Sequence, residues 1–252
     1  MKILLCISFL GTRYCGWQVQ KNGVSVQQVV QKAVGEVLGA EYPLTGCSRT
    51  DAGVHAERFY CTVGTGEDSP RVPVASLPSA LNLALPDDIS VLTARIVPDA
   101  FHPRYDVLEK EYLYRIWNMP QRDPFLTGRA YHLPKKLDVG LMNEACAPFL
   151  GKHDFSACMA KGSSVEERTR NVMSFSVSPG YPDGMVEVRV SSDGFLYHMV
   201  RIMVGTLIEV SRKRIDVLSL PERILSLDRS RMGFTAPACG LYLNRVVYRE
   251  NN

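Results

Sequence analysis

Arg49, Asp51 and His55 lie within the seven-residue stretch R-T-D-A-G-V-H. Their guanidinium, carboxylate and imidazole groups are types of side chain that take part in catalysis. A carboxylate such as Asp51 can serve as a nucleophile or as the electrostatic partner of a developing cation. Arg49 could keep that carboxylate ionised and could also bind an anion. Gly53 allows a positive φ and leaves room for a bulky ligand. The stretch therefore predicts a loop that a ligand approaches closely.

Two other interpretations of this stretch stay open at this point. Asp and Gly are common turn residues, so Asp51 could simply cap a turn between two strands. Asp51 and His55 could also belong to the metal site of a hydrolase. The five histidines, however, include no H-x-x-x-H or H-E-x-x-H pairing, which makes a metal site the weaker hypothesis.

The composition is that of a globular protein with a large core. Of the 252 residues, 46% are hydrophobic and 22% are charged. A net charge of +3 is too small to indicate a nucleic-acid-binding protein, so an RNA-binding face would need local clusters of Lys and Arg. Such clusters occur at Arg212 to Arg214, at Lys135 and Lys136, and at Arg229 with Arg231.

Cysteine usage and hydropathy argue against a secreted, disulfide-bonded protein and against a membrane protein. The seven cysteines are scattered and never spaced as C-x-x-C, which predicts reduced thiols in a cytoplasmic protein. No apolar run approaches the ~20 residues of a membrane span. The apolar run at the N-terminus is short and lacks a cleavage pattern, so a buried strand is predicted there.

Hydrophobic periodicity predicts an α+β fold. The clearest helix runs from Ser25 to Leu38, because its apolar residues recur on one face and Ser25 and Gln28 have capping-box spacing. Other helices are predicted at 74–85, 139–150 and 199–210, and strands at 2–10, 43–48, 59–63, 89–97, 111–118, 172–177, 185–190 and 241–247. A polar segment at 157–170 is predicted to be a mobile loop. This order gives two α+β halves, 1–105 and 106–252, with no linker between them.

Arg201 is predicted to be paired on physical grounds alone. It stands in the predicted helix 199–210 between apolar neighbours, and a buried guanidinium without a partner is costly. Glu187, Asp193 and Asp51 are the acidic candidates, and Asp51 is the one that needs a cation. We therefore expect Arg201 to reach Asp51 within salt-bridge distance. The alternative is that Arg201 extends to solvent from the end of the helix.

Five segments across nearly the whole chain resemble, in order, the TruA family of tRNA pseudouridine synthases. They read G-T-R-Y-C-G-W-Q at 11–18, R-T-D-A-G-V-H-A at 49–56, F-H-P-R-Y at 101–105 with K-E-Y-L-Y at 110–114, F-L-Y-H-M-V-R-I-M-V-G at 195–205, and A-C-G-L-Y-L at 238–243. The chain departs from the family pattern at Lys110 and Glu111, where a more basic pair is frequent, and in the 157–170 segment.

The resemblance implies a fold and an activity. The fold would be two RRM-like (ferredoxin-like) halves joined into one mixed, mainly antiparallel sheet, with helices on one face and a central basic cleft. The activity would be that of an isomerase that detaches uracil from its ribose, turns it and rejoins it through C5, with no metal or organic cofactor. The substrate would be the anticodon stem-loop of tRNA, bound by a cytoplasmic homodimer without a membrane partner.

The resemblance also implies roles for particular residues. Asp51 would be the nucleophile, Tyr112 would stack on the target base, and Arg201 would complete the catalytic set. Residues implied in substrate binding are Arg49, Thr50, His55, Arg104 and Leu241. Whether Asp51 attacks ribose C1′ or the base, or helps form a glycal, stays open, as does the choice of uridines.

The alternative function is that of a non-catalytic RNA-binding protein with two RRM-like halves. Asp51 argues against it, because a carboxylate in a basic cleft repels phosphates and would weaken a protein that only binds RNA.

Overall fold

The computed structural model describes residues 1–66, 71–162 and 165–249, which form two compact units. The first unit comprises Met1–Leu108 and Tyr242–Asn252, and the second comprises Glu109–Leu241. This division differs from the predicted halves, 1–105 and 106–252, because the C-terminal strand returns to the first unit.

The described residues contain both strands and helices throughout, which confirms the α+β prediction. The strands are β1 Lys2–Phe9, β2 Leu44–Gly46, β3 His55–Gly64, β4 Ile89–Val97, β5 Val107–Trp117, β6 Tyr131–His132, β7 Gly151–Asp154, β8 Thr169–Pro179, β9 Met185–Ser192 and β10 Leu241–Tyr248. The α-helices are α1 Val26–Leu38, α2 Leu77–Ala84, α3 Val139–Glu144, α4 Met199–Ser211 and α5 Leu220–Leu225. Within the described residues, no helix is long and apolar enough to span a membrane.

The sheet of the first unit has the strand order β4-β1-β3-β10. β1 runs antiparallel to both β3 and β4, whereas β10 runs parallel to β3. β3 changes partner along one edge: its first residues, His55 and Ala56, pair with β10, and its last residues pair with β2. The loop 47–54, which carries Asp51, therefore leaves the sheet where the partner of β3 changes.

Helix α1 has the cap and the buried face that the sequence predicts. The hydroxyl of Ser25 accepts a hydrogen bond from the Gln28 N–H, and Gly39 ends the helix with a φ of 83°. Its apolar stripe is buried, and it comprises Val26, Val30, Ala33, Val34 and Leu38. Burial of such a stripe is what stabilises a helix of this length in water.

The sheet of the second unit has the order β5-β9-β8-β7, with each neighbour antiparallel and with β6 parallel to β5. The predicted hairpin is confirmed as β8 and β9. Helix α4 is buried almost all round, as its continuous apolar run predicts.

Several boundary predictions were wrong. The helix predicted at 139–150 ends at Glu144 and is followed by a short 3-10 turn, because Pro148 lacks an N–H and its ring would clash with the preceding turn. β3 begins at His55 and not at residue 59. In the segment predicted as a mobile loop, Ala157 and Cys158 are fully buried and β8 begins at Thr169, while residues 163 and 164 lie outside the described part.

Candidate active site

Asp51 lies in a tight turn between β2 and β3. The Val54 N–H donates to the Asp51 carbonyl oxygen at 3.2 Å, and Gly53 has a φ of 78°, a conformation that favours glycine. Asp51 itself is half-buried. The turn predicted from R-T-D-A-G is therefore present, and it carries Asp51.

Two glycines of the N-terminal loop hold this turn in place. A Cβ on Gly11 would lie 1.9 Å from the Val54 carbonyl oxygen, and one on Gly16 would lie 2.3 Å from the Thr50 carbonyl oxygen. Each distance is far below van der Waals contact, so only glycine allows the two loops to approach this closely. The Trp17 N–H also donates to the Thr50 carbonyl at 3.2 Å. The segments 11–18 and 49–55, which are distant in sequence, therefore form one structure.

The N-terminal loop is itself anchored on its other side. The Tyr14 hydroxyl donates to Asp88 at 2.7 Å, and the Arg13 guanidinium pairs with the same carboxylate at 2.7 Å. Burial and the neighbouring Asp88 raise the pKa of Tyr14 to about 12. Trp17 is buried against Phe59, with 4.1 Å between the ring centroids. Tyr14 and Trp17 are both buried, so these aromatic rings belong to the hydrophobic core.

His55 is fully buried at the start of β3. Its Nδ1 accepts a hydrogen bond from the Gly11 N–H at 2.9 Å, so the neutral ring carries its proton on Nε2. The ring stacks on Tyr242 of β10 at 4.5 Å. These contacts bind β3, β10 and the N-terminal loop together behind Asp51. The predicted substrate contact of His55 stays a prediction, whereas its structural contacts are evident.

Arg49 and Thr50 differ sharply in exposure. Arg49 is exposed, as a residue that binds an anion should be. Thr50 is 8% exposed, and its hydroxyl has no hydrogen-bond partner within the residues that the structure describes. A buried hydroxyl left unpaired costs free energy, so the loop of Asp51 carries a polar group that its described surroundings do not satisfy.

Arg104 lies in the same unit, in the turn before β5. Its guanidinium stands 5.8 Å from the ring centre of Tyr105, which is 74% exposed. The His102 ring accepts from the N–H groups of both residues and so fixes the turn. An exposed aromatic ring beside an arginine can bind an unstacked base and its phosphate.

Tyr112 and Tyr114 share one face of β5 in the second unit, as alternation predicts. The Tyr112 ring is 7% exposed and meets Phe195 edge-on at 5.1 Å. Tyr114 is fully buried, and its hydroxyl donates to the Pro237 carbonyl at 2.7 Å. Burial raises the pKa of Tyr114 well above its ordinary value, an effect that the charge of Arg201 opposes.

Arg201 stands in the first turn of α4, whose bounds agree closely with the predicted helix 199–210. Its Nε–H donates to the Ala236 carbonyl at 2.7 Å, and the Ala236 N–H donates to the Arg201 carbonyl at 3.0 Å. The sequence did not predict this partner, because every residue has a backbone carbonyl and no residue type marks the one that accepts a hydrogen bond. Pro237 and Gly240 indicate only that a loop is present. The reciprocal bonds fix one edge of the guanidinium.

The loop that contains Ala236, the partner of Arg201, packs closely against α4. A Cβ on Gly205 would lie 1.8 Å from the Phe234 carbonyl oxygen, so only glycine fits there. The Thr206 hydroxyl accepts from the Gly233 N–H at 2.9 Å, and Arg229 donates to Thr235 at 3.2 Å. Leu241, a predicted substrate contact, follows this loop and is 5% exposed.

The predicted residues thus fall into two groups. Arg49, Thr50 and Asp51 lie in the loop 47–54 of the first unit, and His55 follows them at the start of β3. Arg104 belongs to the same unit. Tyr112, Arg201 and Leu241 belong to the second unit, where Arg201 is bonded to Ala236 in the segment that precedes Leu241. Within the described residues, no group of three or more His, Cys, Asp or Glu side chains could hold a metal ion.

Comparison with known proteins agrees with this arrangement. The tRNA pseudouridine synthase family matches residues 5–106 and 145–249, which include both the Asp51 loop and helix α4. The chain belongs to the tRNA pseudouridine synthase family.

Three relatives show how far the similarity extends, and each is named tRNA pseudouridine synthase A. The protein of Ruminiclostridium cellulolyticum is 42% identical over 98% of this chain and 99% of its own length. That of a Thermoanaerobacter species is 40% identical over the same shares. That of Staphylococcus aureus is 37% identical over 100% of this chain and 93% of its own length. The resemblance stated from motifs is confirmed over the full chain.

Thr50→Val should raise the free energy of unfolding by about 1 kcal/mol, because it removes a buried hydroxyl that has no partner and keeps its shape. Urea unfolding measures the change. Thr206→Val is the matched control, since its buried hydroxyl is bonded to both Ile202 and Gly233. That control should lose about 1 kcal/mol or more. Equal losses in both variants would contradict the assignment of an unsatisfied hydroxyl to Thr50.

Proposed function

We propose that this protein converts uridine to pseudouridine in the anticodon stem-loop of tRNA, with Asp51 as the nucleophile. The family to which the chain belongs makes it a tRNA pseudouridine synthase, an isomerase. The observation that supports the assignment of Asp51 is the close backbone contact of its loop with Gly11 and Gly16. A carboxylate on a loop fixed by backbone contacts is held ready for a substrate, which is what nucleophilic catalysis requires.

The reaction balances without an external reagent. The bond between N1 of uracil and C1′ of ribose breaks, the base turns, and a bond forms between C5 and C1′. C5 then loses its proton while N1 gains one. Asp51 would hold the sugar or the base in the interval, by covalent attack on either or by assisting a glycal. The uracil must leave its stack to turn, and an aromatic ring such as Tyr112 would support it.

Arg201 would provide the cation that an ionised nucleophile needs. Its Nε–H is engaged by Ala236, which orients the guanidinium. The planar fork of a guanidinium suits a carboxylate such as that of Asp51. Arg49 and Arg104, both exposed, would bind the RNA. A homodimer and a cytoplasmic location remain predictions from the resemblance, which sedimentation and cell fractionation would check.

Asp51→Asn should lower the rate of pseudouridine formation by on the order of 10³-fold or more, because the amide keeps the size of the carboxylate and loses its charge. Release of tritium from tRNA labelled at uridine C5 measures this rate. Binding of tRNA should persist. Substantial turnover by this variant would overturn the role of Asp51, and a wild-type protein that binds tRNA without releasing tritium would support the non-catalytic alternative.

Tyr112→Phe should keep the stacking ring. Tyr112→Ala should lose ~1–3 kcal/mol of transition-state stabilisation, which is the usual contribution of base stacking. Because Tyr112 also contacts Phe195, Tyr112→Leu serves as a control that keeps apolar bulk without an aromatic face. Single-turnover rates and urea unfolding separate the two contributions. If Phe is as inactive as Ala, the hydroxyl acts in proton transfer and stacking is not the whole role.

Arg201→Met should lower kcat by about 10²–10³-fold, the usual effect of removing one preorganised donor, with a smaller change in KM. Arg214→Met, which removes a charge from the exposed end of the same helical region, is the control. Full activity in Arg201→Met would contradict the pairing.

A further inference from the structure

A cavity of about 1190 Å³ opens on the first unit, bordered by β3, β4, β10 and the segment that follows β4. Arg58 and Tyr60 line it, and they alternate along β3 with Phe59. Phe59 is the residue on which Trp17 stacks, and Trp17 contacts the loop of Asp51. The cavity therefore lies on the face of the sheet opposite to that contact.

The floor of the cavity is aromatic and rigid. Val97 and Phe101 are buried, and the partly buried Tyr60 and Tyr248 pack against them. The Tyr248 ring meets Tyr60 edge-on at 5.4 Å and Phe101 at 5.1 Å, and its hydroxyl donates to the Pro103 carbonyl at 2.9 Å. Because these contacts are already made, a ligand loses little affinity to ordering of the floor.

The rim of the cavity is strongly cationic. Four exposed arginines line it, which are Arg58, Arg95, Arg245 and Arg249. The one acidic side chain among its described lining residues is Glu57. The formal charge of the rim is therefore +3, as large as that of the entire chain. A charge concentrated in this way attracts a polyanion, whereas the net charge of the protein does not.

The shape and charge of the cavity favour RNA as its ligand. Guanidinium groups donate paired hydrogen bonds to phosphate oxygens. RRM sheets bind RNA on the face that their helices leave uncovered, where aromatic side chains are presented. A second copy of this chain fits less well, because a twofold contact would set the same arginines against each other.

We propose that these four arginines, here called the arginine pocket, bind backbone phosphates of tRNA outside the segment that is isomerised. The proposal rests on the proposed function and adds a second RNA-binding surface to it. Since the pocket is on the far side of the sheet from the Trp17 contact with the Asp51 loop, it contributes affinity for whole tRNA and no chemistry. An isolated anticodon stem-loop does not need it.

The test combines Arg58→Gln, Arg95→Gln and Arg249→Gln in one variant of the full chain. The affinity for full-length tRNA is measured from 50 to 200 mM salt, as trial concentrations. Each lost phosphate contact should reduce the slope of log K against log salt by about 1. KM for full-length tRNA should rise about 10-fold or more, the usual scale for several lost charge contacts. KM and kcat for an isolated anticodon stem-loop should stay unchanged.

Two sets of controls make the result specific. Arg71→Gln and Arg122→Gln remove exposed arginines that do not line the pocket, and neither should change the slope as the pocket variants do. A variant that combines Arg58→Lys, Arg95→Lys and Arg249→Lys keeps the charge. It should retain most of the slope of log K against log salt. Thermal unfolding of each variant verifies that the fold is intact.

An unchanged salt slope in the triple Gln variant would overturn the proposal. So would a shift from dimer to monomer with an unchanged slope, since the pocket would then bind a second copy of the chain. An equal loss of activity on the stem-loop would also overturn it, because the effect would lie in the active site. If the wild-type protein forms no pseudouridine in either RNA, the proposed function fails, and the salt slopes still decide whether the arginine pocket binds RNA.

Discussion

The contact of two glycines with two carbonyl oxygens positions the candidate nucleophile. Gly11 lies against Val54 and Gly16 against Thr50, at distances where any Cβ would displace the backbone. Side chains can change rotamer to relieve a poor contact, but two backbones in contact have no such freedom. The loop of Asp51 therefore has few alternative positions, and a reacting carboxylate misplaced by even about 1 Å loses much of its effect. The anchors at Asp88 and His55 act through the same pair of loops.

In the second unit, a glycine contact of the same kind lies beside Arg201. Gly205 of α4 admits the backbone of Phe234, and the reciprocal bonds between Arg201 and Ala236 then orient the guanidinium. Tyr114 fastens the same segment through Pro237. In both units, a glycine without a Cβ allows two backbone segments to come into close contact beside a candidate site residue.

Charge is organised locally in this protein. The chain has nearly equal numbers of basic and acidic residues, 29 and 26. Four arginines nevertheless meet around one cavity of the first unit, and Thr50 keeps an unpaired buried hydroxyl beside Asp51. Both features cost free energy in the isolated protein, by like-charge repulsion and by desolvation.

The sequence by itself determined the features that depend on neighbouring residues. The cap, stripe and stop of α1, the hairpin of β8 and β9, and the turn at Asp51 were all predicted from local patterns, and the family motifs located Tyr112 and Arg201. Tertiary structure alone decided that β10 returns to pair with His55 and Ala56, that His55 is buried, and that Ala236 receives Arg201. It also decided that Arg58, Arg95, Arg245 and Arg249 line one cavity. The reason is physical: local patterns report backbone preference and the buried face of one element, whereas strand pairing and packing decide which distant residues meet.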